Sequence, residues 1–92
     1  MDVLKELYNV VVDRISKKPQ GSYTTYLASM GKAYVARKVG EESLEVIIAS
    51  LTESKDRLVS EAVDLLYHLI VLLVLNNVSI DEVYEEILRR RK

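Results

Sequence analysis

With 92 residues, the chain is expected to form a single domain, 1–92, near the lower limit for an independent hydrophobic core. Its 13 basic and 14 acidic residues give a formal charge of −1, which argues against a nucleic-acid-binding surface. The absence of cysteine excludes disulfides and thiolate metal sites and fits a cytoplasmic protein.

Apolar residues make up 49% of the chain, which has three glycines, one proline, six tyrosines and neither tryptophan nor phenylalanine. That composition favours helices over sheets. The first helix is expected from about Asp2 to Ser16, with Leu4, Leu7, Val11 and Ile15 on one stripe. Asp2, Lys5 and Glu6 interrupt any signal-peptide core near the N-terminus. Pro19 ends the helix and pushes Lys18 out of helical geometry. Gln20 and Gly21 then make a turn. Ser22 or Thr24 caps a short helix running to about Met30, which Gly31 stops.

A third helix is predicted from about Lys32 to Leu51. On it Val35, Val39, Glu42, Val46 and Ala49 recur at spacings of four and three, a buried seam with a glutamate in its middle. Thr52 to Lys55 form a hinge, and Ser54 or Asp56 caps the next helix. That fourth helix, about Asp56 to Asn76, is apolar on most of its circumference. Leu58, Ala62, Leu65, Leu69 and Leu72 form one seam, and Val59, Val63, Leu66, Ile70 and Leu73 its neighbour. Such a helix expects burial on most sides, and so short a chain has too few other elements to cover it, so a partner chain is implied. Its longest uninterrupted apolar run, Leu69 to Leu75, is far short of the ~20 residues that span a bilayer, so no membrane partner is expected. Ser79 with Glu82 forms a capping box for a final helix carrying Val83, Ile87 and Leu88. The basic run Arg89 to Lys92 sits at that helix's C-terminus, where cations favour the macrodipole.

Charged residues inside apolar helices call for an explanation, because burying an unpaired charge is costly. Glu42 and Glu45 share one face of the third helix; Arg57, Glu61, Asp64 and His68 share a narrow strip of the fourth. In an antiparallel hairpin, residues whose numbers have equal sums lie at one height. Glu42 then faces Asp64 and Glu45 faces Glu61. Four converging carboxylates repel unless a cation neutralises them, and an all-oxygen donor set points to Mg²⁺, with Mn²⁺ the substitute, rather than zinc. A di-iron carboxylate bundle is disfavoured because it wants Glu-x-x-His on two helices. Arg37 and Lys38, one turn earlier, serve either as a solvated face or as phosphate ligands. His68 and Tyr67 are either packed interior residues or ligand contacts. The Gly21-Ser22-Tyr23-Thr24 segment is too short for a glycine-rich phosphate loop and reads as a capping turn, whose hydroxyls remain within reach of a ligand.

The run Lys38-Val39-Gly40-Glu41-Glu42 with Glu45, followed by Glu61-Ala62-Val63-Asp64-Leu65-Leu66-Tyr67-His68-Leu69, closely resembles the phosphoribosyl-ATP pyrophosphohydrolases of histidine biosynthesis. Gly21-Ser22-Tyr23-Thr24 with Leu27 and Gly31 resembles that family's N-terminal motif. The resemblance implies an all-α, hairpin-based bundle completed by homodimerisation. It also implies magnesium-dependent hydrolysis of phosphoribosyl-ATP to phosphoribosyl-AMP and pyrophosphate. Carried over by position, Glu42, Glu45, Glu61 and Asp64 would be metal ligands. Glu41 would polarise the attacking water or support the ligands, and Lys38, Arg37 and Lys32 would bind phosphate. Ser22, Tyr23, Thr24, Tyr67 and His68 would lie in supporting or substrate-contact positions. Two rival expectations are a house-cleaning (d)NTP pyrophosphohydrolase and a non-enzymatic helical dimerisation module.

Overall fold

The computed structural model describes residues 1–91; Lys92, the last of the basic run, lies outside them. Five helices succeed one another: α1 (Val3–Lys17), α2 (Tyr23–Met30), α3 (Lys32–Thr52), α4 (Lys55–Leu75) and α5 (Ile80–Arg90). No strand occurs among the described residues. The expected all-α class is therefore observed, with helix ends within one residue of those read from the sequence.

Local chemistry sets each boundary. Asp2 caps α1 by accepting from the Lys5 amide, and Lys18 closes it in the left-handed region, φ 54°. Gly21 has φ +82°, a conformation a side chain would strain, and it delivers Ser22 as the cap of α2. Of the two candidate caps it is Ser22 that accepts from the Thr25 amide, while Thr24 is buried. Ser54, not Asp56, caps α4, and the Ser79–Glu82 capping box forms in full.

Val11, Leu27, Val35, Ile70 and Val71 form the core, one or two from each of the first four helices. Leu7, Tyr8, Ile15, Tyr34 and Tyr67 pack around it. The most extensive packing joins α3 to α4. Their connection is only Glu53 and Ser54, so the two form an antiparallel hairpin, with α1 and α2 laid against the end remote from the hinge. Near the hinge Ala49 is the one buried apolar residue, while Leu44, Ile47, Leu51, Val59 and Val63 remain exposed. Ile87 and Leu88 of α5 also stay exposed in the single chain.

By length and composition α4 is apolar enough to cross a membrane, with a mean hydropathy of 2.1 in its most apolar window. The sequence expectation considered only the uninterrupted run Leu69–Leu75 and so missed this. Here α4 packs against α1, α2 and α3 and carries Glu61, Asp64 and His68 along its length, while much of its apolar surface stays exposed in the single chain.

Candidate metal and phosphate site

The hairpin places Glu42, Glu61 and Asp64 so that one carboxylate oxygen from each lies within 4.8 Å of the others. The equal-height arithmetic for Glu42 and Asp64 is met. Glu61 joins them because it lies three residues before Asp64 on the same strip. Its side chain is only 7% exposed. Burial pushes its pKa above the ordinary carboxylate value, Arg57 opposes that rise, and Asp64 and Glu45 add to it. The guanidinium of Arg57 donates to Glu61 at 2.5 Å and reaches back to Glu53 at 3.8 Å. This cation neutralises one acid of the group, and it stands at the edge rather than among the three.

Glu45 is exposed and lies outside the three-oxygen group, though near enough to raise the Glu61 pKa. Glu41 is also exposed and holds Lys38 at 3.4 Å and Arg37 at 3.7 Å. For Lys38 partial burial lowers the pKa, but the Glu41 hydrogen bond and the charges of Tyr23, Glu41 and Glu42 outweigh it and leave a net rise. Lys32 is exposed at the first position of α3, away from these pairs.

Behind the carboxylates a polar network ties α2 to α4. His68 is 6% exposed, with Nδ1 2.7 Å from the Asp64 carbonyl oxygen and Nε2 2.9 Å from the Tyr23 hydroxyl. A carbonyl only accepts, so Nδ1 carries the proton, and Nε2 of the neutral ring accepts from Tyr23. The Thr24 and Tyr67 hydroxyls are hydrogen-bonded to each other alongside. Among the described residues no buried side-chain polar atom lacks a partner. Burial raises the Tyr23 pKa, Lys38 opposes this, and Tyr67 and Glu42 add to it. Tyr23 therefore lies within the electrostatic field of both the acidic group and its cations.

The arrangement offers hard oxygen donors, flanking cations and a network that fixes the helices bearing them. Three acids, graded from buried Glu61 through half-buried Glu42 to exposed Asp64, offer a hard, all-oxygen donor set to a divalent cation. The sequence pattern of the family described as phosphoribosyl-ATP pyrophosphohydrolase matches residues 4–91.

The chain belongs to this family.

A protein named phosphoribosyl-ATP pyrophosphatase from Saccharolobus islandicus is 56% identical over 91 residues, covering 99% of this chain and 97% of its own. Like-named proteins from Saccharolobus solfataricus and Metallosphaera sedula are 54% and 55% identical over the same length. Membership in the phosphoribosyl-ATP pyrophosphohydrolases favours the narrower of the two hydrolase expectations and overturns the non-enzymatic one. Tyr26 and Tyr34 were not singled out from sequence, yet both stand in an aromatic row with Tyr23. The available signal was the three-residue spacing of Tyr23 and Tyr26, which puts both on one face of α2.

Proposed function

We propose that this chain, a phosphoribosyl-ATP pyrophosphohydrolase of histidine biosynthesis, works with magnesium held by Glu42, Glu61 and Asp64, with Glu45 completing the set; Mn²⁺ is the natural substitute. The single observation that supports this is the convergence of three carboxylates within 4.8 Å on one hairpin, one of them buried. When bound, the metal supplies neutralisation of phosphate charge and an acidified water for attack on the α–β phosphoanhydride.

The protein's own residues do the rest. Lys38 and Arg37 bind phosphate oxygens, with Lys32 a more distant third cation. Glu41 holds the first two in register through its ion pairs, and it is the candidate to orient the attacking water from the exposed side. His68, locked as the Nδ1–H tautomer, fixes Tyr23 beside the site. Thr24 and Tyr67 lock α2 to α4, and Ser22 sets where α2 begins.

The functional unit is a homodimer. The chain exposes 6475 Å², whereas a compact monomer of 10.5 kDa exposes about 5,400 Å². Leu44, Ile47, Leu51, Val59 and Val63 leave an apolar surface at the hinge end of the hairpin for an obligate interface to bury. The cytoplasm, where nucleotide substrates and magnesium are abundant, is its expected location.

Titration of the metal-free protein with Mg²⁺ by calorimetry, alongside phosphoribosyl-ATP turnover, tests the ligand assignment. Glu45→Gln and Asp64→Asn are each expected to abolish turnover while leaving the helical circular dichroism intact. Retained turnover in either would remove that residue from the ligand set.

A further inference from the structure

Four of the six tyrosines form one continuous row. Tyr67, Tyr23 and Tyr26 stack with ring centroids 6.0 and 6.1 Å apart and planes 25° and 24° from parallel. Tyr34 meets Tyr26 edge-on at 6.0 Å. Every hydroxyl in the row is engaged: Tyr67 with Thr24, Tyr23 with His68, and Tyr26 with Tyr34 at 3.3 Å. The rings are therefore held in place by their polar ends, while Tyr23 and Tyr26 each remain 46% exposed. Tyr23 has a ring neighbour in Tyr67 and in Tyr26, so the surface left for a planar partner is what these two half-exposed, anchored rings still show to solvent.

These two tyrosines line a shallow, open depression of about 480 Å³ together with the turn containing Pro19, Gln20 and Gly21. Two left-handed residues, Lys18 and Gly21, shape that turn. The volume is within the range of small-ligand sites, and Gln20 brings both a donor and an acceptor to an aromatic wall. Tyr23 is the wall shared with the phosphate site: it lines the cleft, its hydroxyl is held by His68, and it feels both Lys38 and Glu42. Tyr23 thus borders both the aromatic pocket and the surroundings of the carboxylates.

We propose that this cleft is the purine subsite, in which the base of the nucleotide stacks on Tyr23 and Tyr26 opposite the 18–22 turn. The placement rests on the reading that the phosphates lie at Glu42, Glu61 and Asp64. Stacking on an aromatic side chain recognises a π-face rather than a hydrogen-bonding pattern. The subsite therefore supplies affinity for a nucleobase, and Gln20 is left to read its edge.

Tyr26→Leu keeps the apolar bulk and removes the ring; Tyr26→Phe keeps the ring and removes the hydroxyl. With magnesium saturating, Tyr26→Leu is expected to raise KM for phosphoribosyl-ATP by about 10-fold or more with kcat nearly unchanged, and Tyr26→Phe to restore KM. Inhibition by inorganic pyrophosphate, which has no base, is expected to be equal in all three proteins. An unchanged KM in Tyr26→Leu would overturn the subsite, as would a parallel loss of pyrophosphate inhibition or a change in sedimentation. In the unsubstituted protein, ring-proton NMR shifts of Tyr23 and Tyr26 should move with adenosine monophosphate and stay still with ribose 5-phosphate. Equal movement with both compounds would likewise overturn it. Magnesium calorimetry on the same sample reports separately on the carboxylates, so a failure there is distinguishable from a failure of the cleft.

Discussion

Two faces of the α3–α4 hairpin invert the usual relation between polarity and burial. On the inner face Glu61 and His68 are each 6% exposed, whereas on the outer face Leu51 is 77% and Val59 56% exposed. Each inversion is costly for an isolated chain, since buried acids want a cation and exposed apolar stripes want a covering surface. The inner face meets part of its need internally through Arg57 and the His68 network. The outer face has no such internal cover, because α1 and α2 occupy the opposite end of the hairpin. Under the proposed function the same two helices are completed twice from outside: by a small cation on one face and by a second copy of the chain on the other.

The largest expected effect comes from breaking the inner face. Glu61→Gln or Asp64→Asn removes a charge without changing shape, and turnover of phosphoribosyl-ATP should fall by on the order of 10³-fold, the equivalent of several kcal/mol of transition-state stabilisation. The metal-free melting temperature should hold or rise for Glu61→Gln, because a neutral amide is cheaper to bury than a carboxylate. Initial rates and thermal melts on the same preparations check both halves. A melting temperature that collapses would show the carboxylate to be structural.

Next comes the outer face. Val59, Val63 and Leu66 lie at successive turns of one side of α4 and are all exposed. Burial of such a side chain contributes about 1.5–3 kcal/mol, so Val63→Asp should raise the dimer dissociation constant by at least about 10²-fold. Sedimentation velocity over a dilution series measures this. Substitution at Lys17, exposed on α1, is the control and should leave the dimer unaffected.

A smaller effect sharpens the link between Arg57 and the metal. Arg57→Met keeps the apolar stem and removes the cation competing for Glu61. Magnesium affinity should tighten by a factor on the order of five, the equivalent of one half-exposed ion pair, while the metal-free protein becomes less stable. Calorimetry that shows weaker magnesium binding instead would mean that Arg57 orients Glu61 for the ion.

The two faces also differ in how far the sequence revealed them. Helix starts were legible where Ser22, Ser54 and Ser79 accept from backbone amides, whereas Asp2, expected inside α1, proves to be its cap. The meeting of Glu42 with Asp64 was legible because a two-residue hinge leaves little freedom in register. The outward turn of Glu45 was not, since equal height along a hairpin says nothing about rotation around each helix. The pairing of Tyr23 with His68, 45 positions apart, depends on the crossing of α2 over α4, which no local pattern encodes. The exposed outer seam was anticipated from α4 having more apolar circumference than its neighbours could cover.

The smallest expected effect lies at the α1–α5 joint, whose polar contacts close within one chain and need neither a metal nor a partner. Tyr84 donates to Asp2 Oδ1 at 2.7 Å, and Lys5 meets Asp81 at 3.2 Å. The bond from Tyr84, followed by the Lys5 amide, holds the Asp2 carboxyl below its ordinary 3.8. The same bond pushes Tyr84 up to about 12 from its ordinary 10.0. A phenol whose folded value is raised contributes stability that is full below 10.0 and is lost as pH climbs to about 12. A carboxyl whose folded value is lowered contributes stability that is full above 3.8 and is lost as pH falls through the depressed value. Tyr84→Phe removes the shared cause, so its thermal melts should show a shallower alkaline fall and a shallower acid one. Both changes should be the same with and without magnesium and at every protein concentration. A dependence on either would tie the joint to the two hairpin faces, from which its closed set of contacts separates it.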